Sequence, residues 1–167
     1  HVSNSAVKEA KNNNSRKRFN VRLAENSEEI EQCLRLRYRV FAQEMGARLS
    51  SNDEGIDKDR FDEFCKHLMV FDTDSGKVIA TTRLLTSVDA KNAGYFYSET
   101  EFDLELMLNQ PGEFMEVGRT GIDPERRKGA VMAILWQGIA EIVVKHKIDP
   151  SKVFRYRIPC RVLLCTC

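Results

Sequence analysis

The chain has 167 residues, of which 42% are hydrophobic and 31% charged, and its formal net charge is +1 at pH 7. This length and composition predict one globular domain with a core of its own. The near-zero charge argues against a protein that coats nucleic acid, and no stretch reaches the roughly 18 apolar residues of a membrane-spanning helix.

The first half of the chain predicts a strand, a helix and a long polar loop. RFNVRLA, at 18–24, alternates as a strand does, and Asn26 with Glu29 three residues later matches a capping box. The loop runs from Gly46 to Asp59 without periodicity, and loops of that length are often functional. The helix between them carries one apolar stripe at Ile30, Cys33, Leu34, Tyr38, Phe41 and Met45.

The second half predicts a hairpin, two helices and two further strands. HLMVFD and KVIATTRLL flank the turn sequence TDSG, which is typical of an antiparallel hairpin. A short helix at 102–109 ends before Pro111, and FMEVGRTGI predicts a strand. An apolar helix from Ala130 to Lys147 precedes a last strand, RVLLCTC. This order of elements predicts an α/β or α+β fold around a mostly antiparallel sheet.

The two ends of the chain carry different signals. Residues 1–16 are polar and rich in asparagine, so we expect a flexible arm before a single domain over 17–167. The cysteines at the other end have no second Cys/His pair at ligand spacing, so we predict a strand there and no metal site. Five cysteines without a paired framework, and no secretory signal, favour a reducing cytoplasm. The clustered cysteines are Cys160, Cys165 and Cys167.

A basic turn, PERRKGA at 124–130, stands between the predicted strand and the long apolar helix. A helix N-terminus attracts anions, and glycine lets the backbone approach a phosphate closely. Two interpretations stay open for this turn: a phosphate-binding site, or a solvated basic turn in which the glycine serves only the geometry. The residues concerned are Arg126, Arg127, Lys128, Gly129 and Ala130.

Five further features occur in order along the chain. They are LRLRYRVFAQEMG at 34–46, D-x-x-D at 59–62, Arg83 within TRLL, YSETEFDL at 97–104, and E-x-x-R at 116–119. Together with the basic turn they resemble one branch of the GCN5-related N-acyltransferases (GNAT). That branch contains acyl-homoserine lactone synthases, ornithine-lipid N-acyltransferases and environmental N-acyl amino acid synthases. The turn is similar to the family signature Q/R-x-x-G-x-G/A, although Val131 replaces its last small residue.

This resemblance implies the GNAT fold, with a mostly antiparallel, twisted mixed sheet flanked by helices. It implies transfer of a long-chain fatty acyl group from acyl carrier protein to the α-amine of a free amino acid. The donor would be an acyl-phosphopantetheine thioester, with no bound cofactor. Within the branch, YSETEFDL is typical of the lipid-type acyltransferases and the N-acyl amino acid synthases, and the short final strand favours the latter. Two alternatives stay open: acyl-homoserine lactone synthesis, which needs S-adenosylmethionine, and a non-catalytic module that binds an acyl carrier or lipid.

The resemblance also implies a catalytic carboxylate. It places Glu116 beside the thioester channel, where a general base would deprotonate the attacking amine. The alternative is that Glu116 pairs with an arginine and holds the strand in place. Strand alternation points Arg119 to the opposite face, so we assign it no chemistry. Cys65 and His67 lie only two residues apart at a strand start, which disfavours a Cys–His catalytic pair.

The remaining candidates concern the two substrates. Asp59, Asp62 and Arg83, with Arg37 on the first helix, resemble the residues around the acceptor pocket of the autoinducer synthases. A buried Asp–Arg network that pins the loop to the sheet is the open alternative. For Phe41, which lies one turn after Arg37, we predict a position in the core and not a contact with substrate. Apolar residues that could line an acyl tunnel, or simply belong to the core, are Leu84, Met107, Leu108, Met115 and Trp136.

Overall fold

The computed structural model describes residues 18–44, 55–127 and 130–155. The predicted arm over 1–16, the strand predicted at 161–167 and most of the 46–59 loop lie outside these ranges. Lys128 and Gly129 of the basic turn also lie outside them.

A five-stranded sheet forms the centre of the described chain, with the strands in sequential order. The first three pairings are antiparallel, whereas the fourth and fifth strands pair in parallel over only three residues. The mostly antiparallel mixed sheet predicted from the sequence is confirmed. The strands are β1 (Phe19–Leu23), β2 (Lys66–Asp72), β3 (Val78–Thr86), β4 (Met115–Ile122) and β5 (Val153–Arg155).

Within the described ranges, four α-helices and several short helical turns connect these strands. The helices are α1 (Ser27–Tyr38), α2 (Ser87–Ala93), α3 (Glu105–Leu108) and α4 (Val131–Lys145). A π-helical segment, Arg39–Glu44, continues α1, and 3₁₀ turns cover Arg60–Glu63, Tyr97–Thr100, Pro124–Arg126 and Pro150–Lys152.

The start of α1 differs from the predicted capping box in one bond. The Asn26 side chain accepts from the backbone N–H of Glu29 at 2.9 Å, as predicted. The Glu29 carboxylate, however, binds the guanidinium of Arg22 and the backbone N–H of Glu25. The reciprocal bond is lost because a charged partner on β1 attracts the carboxylate more strongly than a neutral backbone N–H does.

The larger apolar core lies between the sheet and α4. Leu84 and Met115 are fully buried in it, among side chains of β2, β3, β4 and α4. Gly138 allows α4 to approach the sheet closely, because a Cβ added there would lie 2.5 Å from a methyl of Val21 and 3.2 Å from one of Leu68. The opposite side of α4 exposes Met132, Trp136 and Val144.

The other face of the sheet carries two smaller apolar clusters. Under α1, Cys33, Leu36 and Phe41 pack on Met69 and Val78, so Phe41 belongs to the core. The second cluster gathers around the ends of β3 and β4 and is formed by Phe61, Leu85, Ala90, Ala93, Phe96 and Phe114. The charged residues described next lie on this same face.

Candidate active site

A β-bulge interrupts β4 close to its middle. Arg83 of β3 pairs with Gly118, whereas Thr81 pairs with Gly121, so β4 contains one residue more than β3 between these pairs. Arg119, within the bulge, has a left-handed backbone with φ of 50°. A bulge adds an unpaired residue and re-aims the side chains that follow it.

The bulge brings Arg119 and Glu116 to the same side of the sheet. Both line a small cavity of about 10 Å³, which has room for roughly one water molecule. The predicted opposite orientation of Arg119 is therefore wrong, because alternation holds only for a strand without extra residues. The cavity is lined by Arg83, Leu85, Tyr97, Glu116, Gly118 and Arg119.

Glu116 is a buried carboxylate held mainly by Ser98, with a further backbone hydrogen bond from Tyr97. The Ser98 hydroxyl donates to its Oε1 at 2.7 Å, and the Ser98 backbone N–H approaches its Oε2 at 3.4 Å. Burial raises the pKa of Glu116, while the bonds from Ser98 and the charge of Arg83 oppose that rise. Within the described part of the chain, Glu116 forms no ion pair, which disfavours the strand-pinning alternative.

Three arginines and three aspartates form a continuous network beside this cavity. Arg37 is fully buried and binds Asp57 at 2.9 Å and Asp62 at 2.6 Å. Burial of Asp62 favours its neutral form, but Arg37 and Arg83 outweigh that effect and lower its pKa to about 2. We call Arg37, Asp57, Asp59, Asp62, Arg83 and Arg119 the Asp–Arg network.

The rest of the network reaches the cavity. Arg83 binds Asp59 at 2.7 Å and lies 3.3 Å from Asp62. Arg119 approaches Asp57 and Asp59, each at 3.4 Å. Three positive and three negative charges give the network a formal charge of zero. The structure thus joins Asp59, Asp62, Arg83 and Arg37 in a buried Asp–Arg network, the alternative that the sequence left open, and adds Asp57 and Arg119. Acceptor binding by these residues stays a prediction.

Aromatic rings support the arginines at the cavity. The guanidinium of Arg83 lies 5.2 Å from the ring centre of Tyr97, and that of Arg119 lies 5.7 Å from it. Phe61 contacts Tyr97 edge to face, with ring centres 5.4 Å apart. Sequence reasoning did not select Tyr97 or Ser98 individually, although both lie within YSETEFDL.

Behind the network lie a buried histidine, His67, and a half-buried cysteine, Cys65, with no hydrogen bond between them among the described contacts. His67 points Nε2 at the backbone carbonyl of Asp62, 3.2 Å away, and burial lowers its pKa. Its Nδ1 has no partner among the described residues. Burial raises the pKa of Cys65 to about 12, so its thiol is a poor source of thiolate.

The basic turn lies at the other end of β4. The guanidinium of Arg126 lies 3.7 Å from the buried carboxylate of Asp72, whereas Arg127 is exposed and its Nε bonds the carbonyl of Ile122. Ala130 precedes α4 and offers no side-chain cap to the helix. Lys128 and Gly129 are not among the described residues.

The five predicted acyl-pocket residues do not line one pocket. Leu84 and Met115 lie in the core beneath α4, and Trp136 is 44% exposed on the outer side of that helix. Met107 and Leu108 pack instead against the cluster that contains Leu85, on the face of Glu116. The sequence could not separate these positions, because it does not reveal which side of a buried strand faces which layer.

Two absences concern the described residues alone. Across 18–44, 55–127 and 130–155, no group of three or more His, Cys, Asp or Glu side chains could hold a metal ion. Over the same ranges, no helix is long and apolar enough to cross a membrane. Cys160, Cys165 and Cys167 lie outside these ranges.

Comparison with curated proteins identifies relatives in several bacteria. Over 138 residues, or 78% of the chain, the sequence is 35% identical to an L-ornithine N(alpha)-acyltransferase from Rhodobacter capsulatus. It is 38% identical, over 77% of the chain, to a protein of the same name from Brucella abortus. These matches cover 53% and 49% of the two relatives, so the chain spans about half their length.

Solved structures resemble the chain in fold. FeeM, an N-acyl amino acid synthase from uncultured soil microbes, aligns with a TM-score of 0.62 and 13% identity over 79% of this chain and 68% of its own. The acyl-homoserine lactone synthase LasI aligns with a TM-score of 0.56 and 14% identity over 78% of this chain and 68% of its own. A family model described as an acetyltransferase (GNAT) domain matches residues 36–137, more than half of the sequence. The chain therefore belongs to the GNAT family, as the order of its motifs predicted.

Proposed function

We propose that this chain transfers a long-chain fatty acyl group from acyl carrier protein to the α-amine of an amino acid. The observation that supports this most directly is a buried carboxylate, Glu116, that lines a cavity together with Arg83 and Arg119. The relatives named L-ornithine N(alpha)-acyltransferase agree with the reaction and suggest ornithine as the first acceptor to test.

Glu116 is suited to act as the general base. An α-ammonium group must lose a proton before its nitrogen can attack the thioester carbonyl, and α-amino groups titrate near pH 8. Burial raises the pKa of Glu116, which makes it a stronger base than an exposed glutamate. The amine nitrogen then bonds to the carbonyl carbon, the C–S bond breaks, and the departing sulfur takes up a proton. This route needs no covalent enzyme intermediate.

The Asp–Arg network supplies both charges that an amino acid acceptor requires. The carboxylate of Asp59 suits an α-ammonium group, and the guanidinium groups of Arg83 and Arg119 suit an α-carboxylate. Since the network and a zwitterionic head group are both neutral overall, binding adds no net charge to a buried site. Arg37 has no exposed surface, so it acts on an acceptor only through the aspartates that it holds.

For the donor, we assign the basic turn to the phosphopantetheine arm and the acidic carrier surface. Arg127 is the better contact, because its side chain is exposed whereas that of Arg126 is half-buried. The acyl chain would enter beside Leu85, where Met107 and Leu108 border the apolar cluster. Leu84, Met115 and Trp136 take no part in this arrangement.

Lipid analysis tests the proposal. Purified protein, acyl carrier protein loaded with a 16-carbon chain, and ornithine should yield an N-acyl amino acid, detected by mass spectrometry. A panel of other amino acids should then define the acceptor range. A lactone formed with S-adenosylmethionine would identify an autoinducer synthase instead. Bound acyl chain without amide formation, for every acceptor in the panel, would indicate a binding module.

Two variants test the roles assigned. Glu116→Gln should lose about 10²–10⁴-fold in rate at pH 7. It should recover partly at higher pH, because more of the dissolved amino acid then has a neutral α-amine. Glu113→Gln, an exposed carboxylate three residues earlier, is the matched control and should behave as wild type. Wild-type rates for folded Glu116→Gln would remove it from the mechanism.

The donor site is tested by charge reversal. A triple variant with Arg126, Arg127 and Lys128 changed to Glu should weaken the use of acyl carrier protein and remove its salt dependence. Arg127→Glu alone should produce much of this effect, since its side chain is exposed. Unchanged carrier kinetics in both variants would contradict the assignment.

A further inference from the structure

Ser98 is the one side chain that hydrogen-bonds the carboxylate of Glu116 among the described residues. Its hydroxyl donates to Oε1 at 2.7 Å and its backbone N–H points at Oε2 at 3.4 Å, so one residue contacts both oxygens. The exposed fraction of Ser98 is only 3%, and water therefore competes little for these bonds. Hydrogen bonds to a carboxylate stabilise its ionised form.

The segment around Ser98 fixes the position of that hydroxyl. Tyr97–Thr100 form a 3₁₀ turn, closed by the Glu99 carboxylate on the backbone N–H of Phe96 at 2.6 Å. The carbonyl of Ser98 accepts from the backbone N–H groups of Glu101 and Phe102. The Thr100 hydroxyl donates to the carbonyl of Tyr97 at 2.7 Å. Because local bonds hold the turn on both sides, the Ser98 hydroxyl is aimed before any substrate arrives.

The charged groups that face Glu116 make the hydrogen bond from Ser98 important for the ionisation of this carboxylate. Arg83 of β3 and Arg119 of β4 line the same cavity, but both are engaged with aspartates of the network. Tyr97 contributes its ring to the two arginines and its backbone to Glu116. Ser98 is therefore the main neutral donor that favours the ionised form of Glu116, with which no described arginine forms an ion pair.

We propose that Ser98 is a positioning residue, which keeps Glu116 ionised and aims its free lone pairs into the cavity. This inference rests on the proposed function, because it gives Ser98 its effect through the proposed general base. During the reaction, the proton leaves the amine nitrogen and goes to Glu116. The Ser98 hydroxyl can then rotate and accept a bond from the protonated carboxyl group.

The first test is a titration that does not depend on activity. In protein with ¹³C-labelled glutamate, the carboxyl resonance of Glu116, assigned by its loss in Glu116→Gln, reports its pKa by NMR. Ser98→Ala should raise that pKa by about one to two units, the equivalent of one charge-assisted hydrogen bond. Thr100→Ala removes a hydroxyl from the same turn without touching Glu116, and should leave its pKa unchanged. An unshifted pKa in Ser98→Ala would overturn the proposal.

The second test is the pH dependence of acyl transfer. In Ser98→Ala, the acidic limb of the kcat/KM profile for the amino acid should move upward by the same one to two units. At pH values below the wild-type limb this corresponds to a loss of about 10–100-fold, with recovery at high pH. Ser98→Thr, which keeps a hydroxyl, should restore the wild-type limb, and KM for the acyl donor should not change. An equal loss at every pH would overturn the positioning role and leave a structural one.

The two tests separate failure of the inference from failure of the function. If the wild-type protein forms no amide with any acceptor, the acyl-transfer function fails and the catalytic consequence of Ser98 fails with it. The NMR titration still decides in that case whether Ser98 controls the ionisation of Glu116. If amide forms normally and Ser98→Ala leaves the pKa of Glu116 unchanged, the function stands and the inference is wrong.

Discussion

Replacing Arg37 with methionine should cost far more stability than any exposed arginine on the same helix. Arg37 contacts two buried carboxylates, Asp57 at 2.9 Å and Asp62 at 2.6 Å, and none of its surface is exposed. Methionine keeps much of the aliphatic volume and removes the charge. The remaining ion pairs of these carboxylates are longer, 3.3 Å from Asp62 to Arg83 and 3.4 Å from Asp57 to Arg119.

The expected loss is about 3–4 kcal/mol in the free energy of unfolding. Removing one partner of a buried ion pair typically costs about 3–5 kcal/mol, because the other charge stays desolvated. The penalty of one stranded aspartate cannot exceed about 4 kcal/mol at pH 7, because at that cost the carboxylate becomes protonated instead. Protonating an aspartate some three pH units above its ordinary pKa costs about that much. For a domain of this size, the loss corresponds to a fall of roughly 6–16 °C in Tm.

Urea and thermal unfolding, followed by circular dichroism, measure this loss. Arg35→Met is the matched control, because Arg35 pairs with Glu31 on the surface and should contribute less than about 0.5 kcal/mol. The deficit of Arg37→Met should also shrink from pH 7 to pH 5. A stranded aspartate has a raised pKa in the folded state, so its penalty falls as the pH approaches that value. Equal stabilities of the two variants would refute the reasoning.

Three other predictions follow from the same structure. Arg83→Ala should raise KM for the amino acid or abolish turnover while leaving carrier binding nearly intact; a lower Tm with normal kinetics would mean that Arg83 is only structural. Gly138→Ala should lose about 1–3 kcal/mol on thermal unfolding, because its Cβ would lie 2.5 Å from Val21; wild-type stability would mean that α4 can shift. Asp62, whose folded pKa is about 2, adds stability that is complete above its unfolded pKa of about 4 and is lost as the pH falls toward 2. Asp62→Asn should flatten acid unfolding across that window, and an unchanged acid profile would contradict this.

Much of the fold was predictable because its signals are local. β1, the β2–β3 hairpin, β4 and α4 follow hydrophobic periodicity and turn residues, and their bounds agree with the prediction to within a few residues. α2 was missed because it is only seven residues long, and its signal is a capping box of Thr86 and Asp89 within a polar stretch. β5 was missed because three residues carry no detectable period.

The sequence predicted most of the residues of the candidate site but not the directions in which their side chains point. Asp59, Asp62 and Arg83 were selected together through family motifs, and the structure places them in one network. Asp57 was not selected, because nothing in the polar loop distinguishes it from its neighbouring acidic residues. The orientation of Arg119 depends on a bulge. Its trace in the sequence is a change of phase, because the core-facing residues Met115 and Val117 are followed by Ile122.

The same bulge makes the length of β4 as important as its composition. Deleting Thr120, the residue after Arg119, would restore simple alternation and turn the guanidinium toward the apolar layer under α4, away from Asp57 and Asp59. The shortened sequence would still predict a strand. The site, however, would lose one of its three arginines, and the apolar core would gain an unpaired charge. Surface loops generally tolerate insertions and deletions, whereas in β4 the number of residues between Glu116 and Ile122 determines where Arg119 points. Insertions and deletions should therefore be far less tolerated here than substitutions.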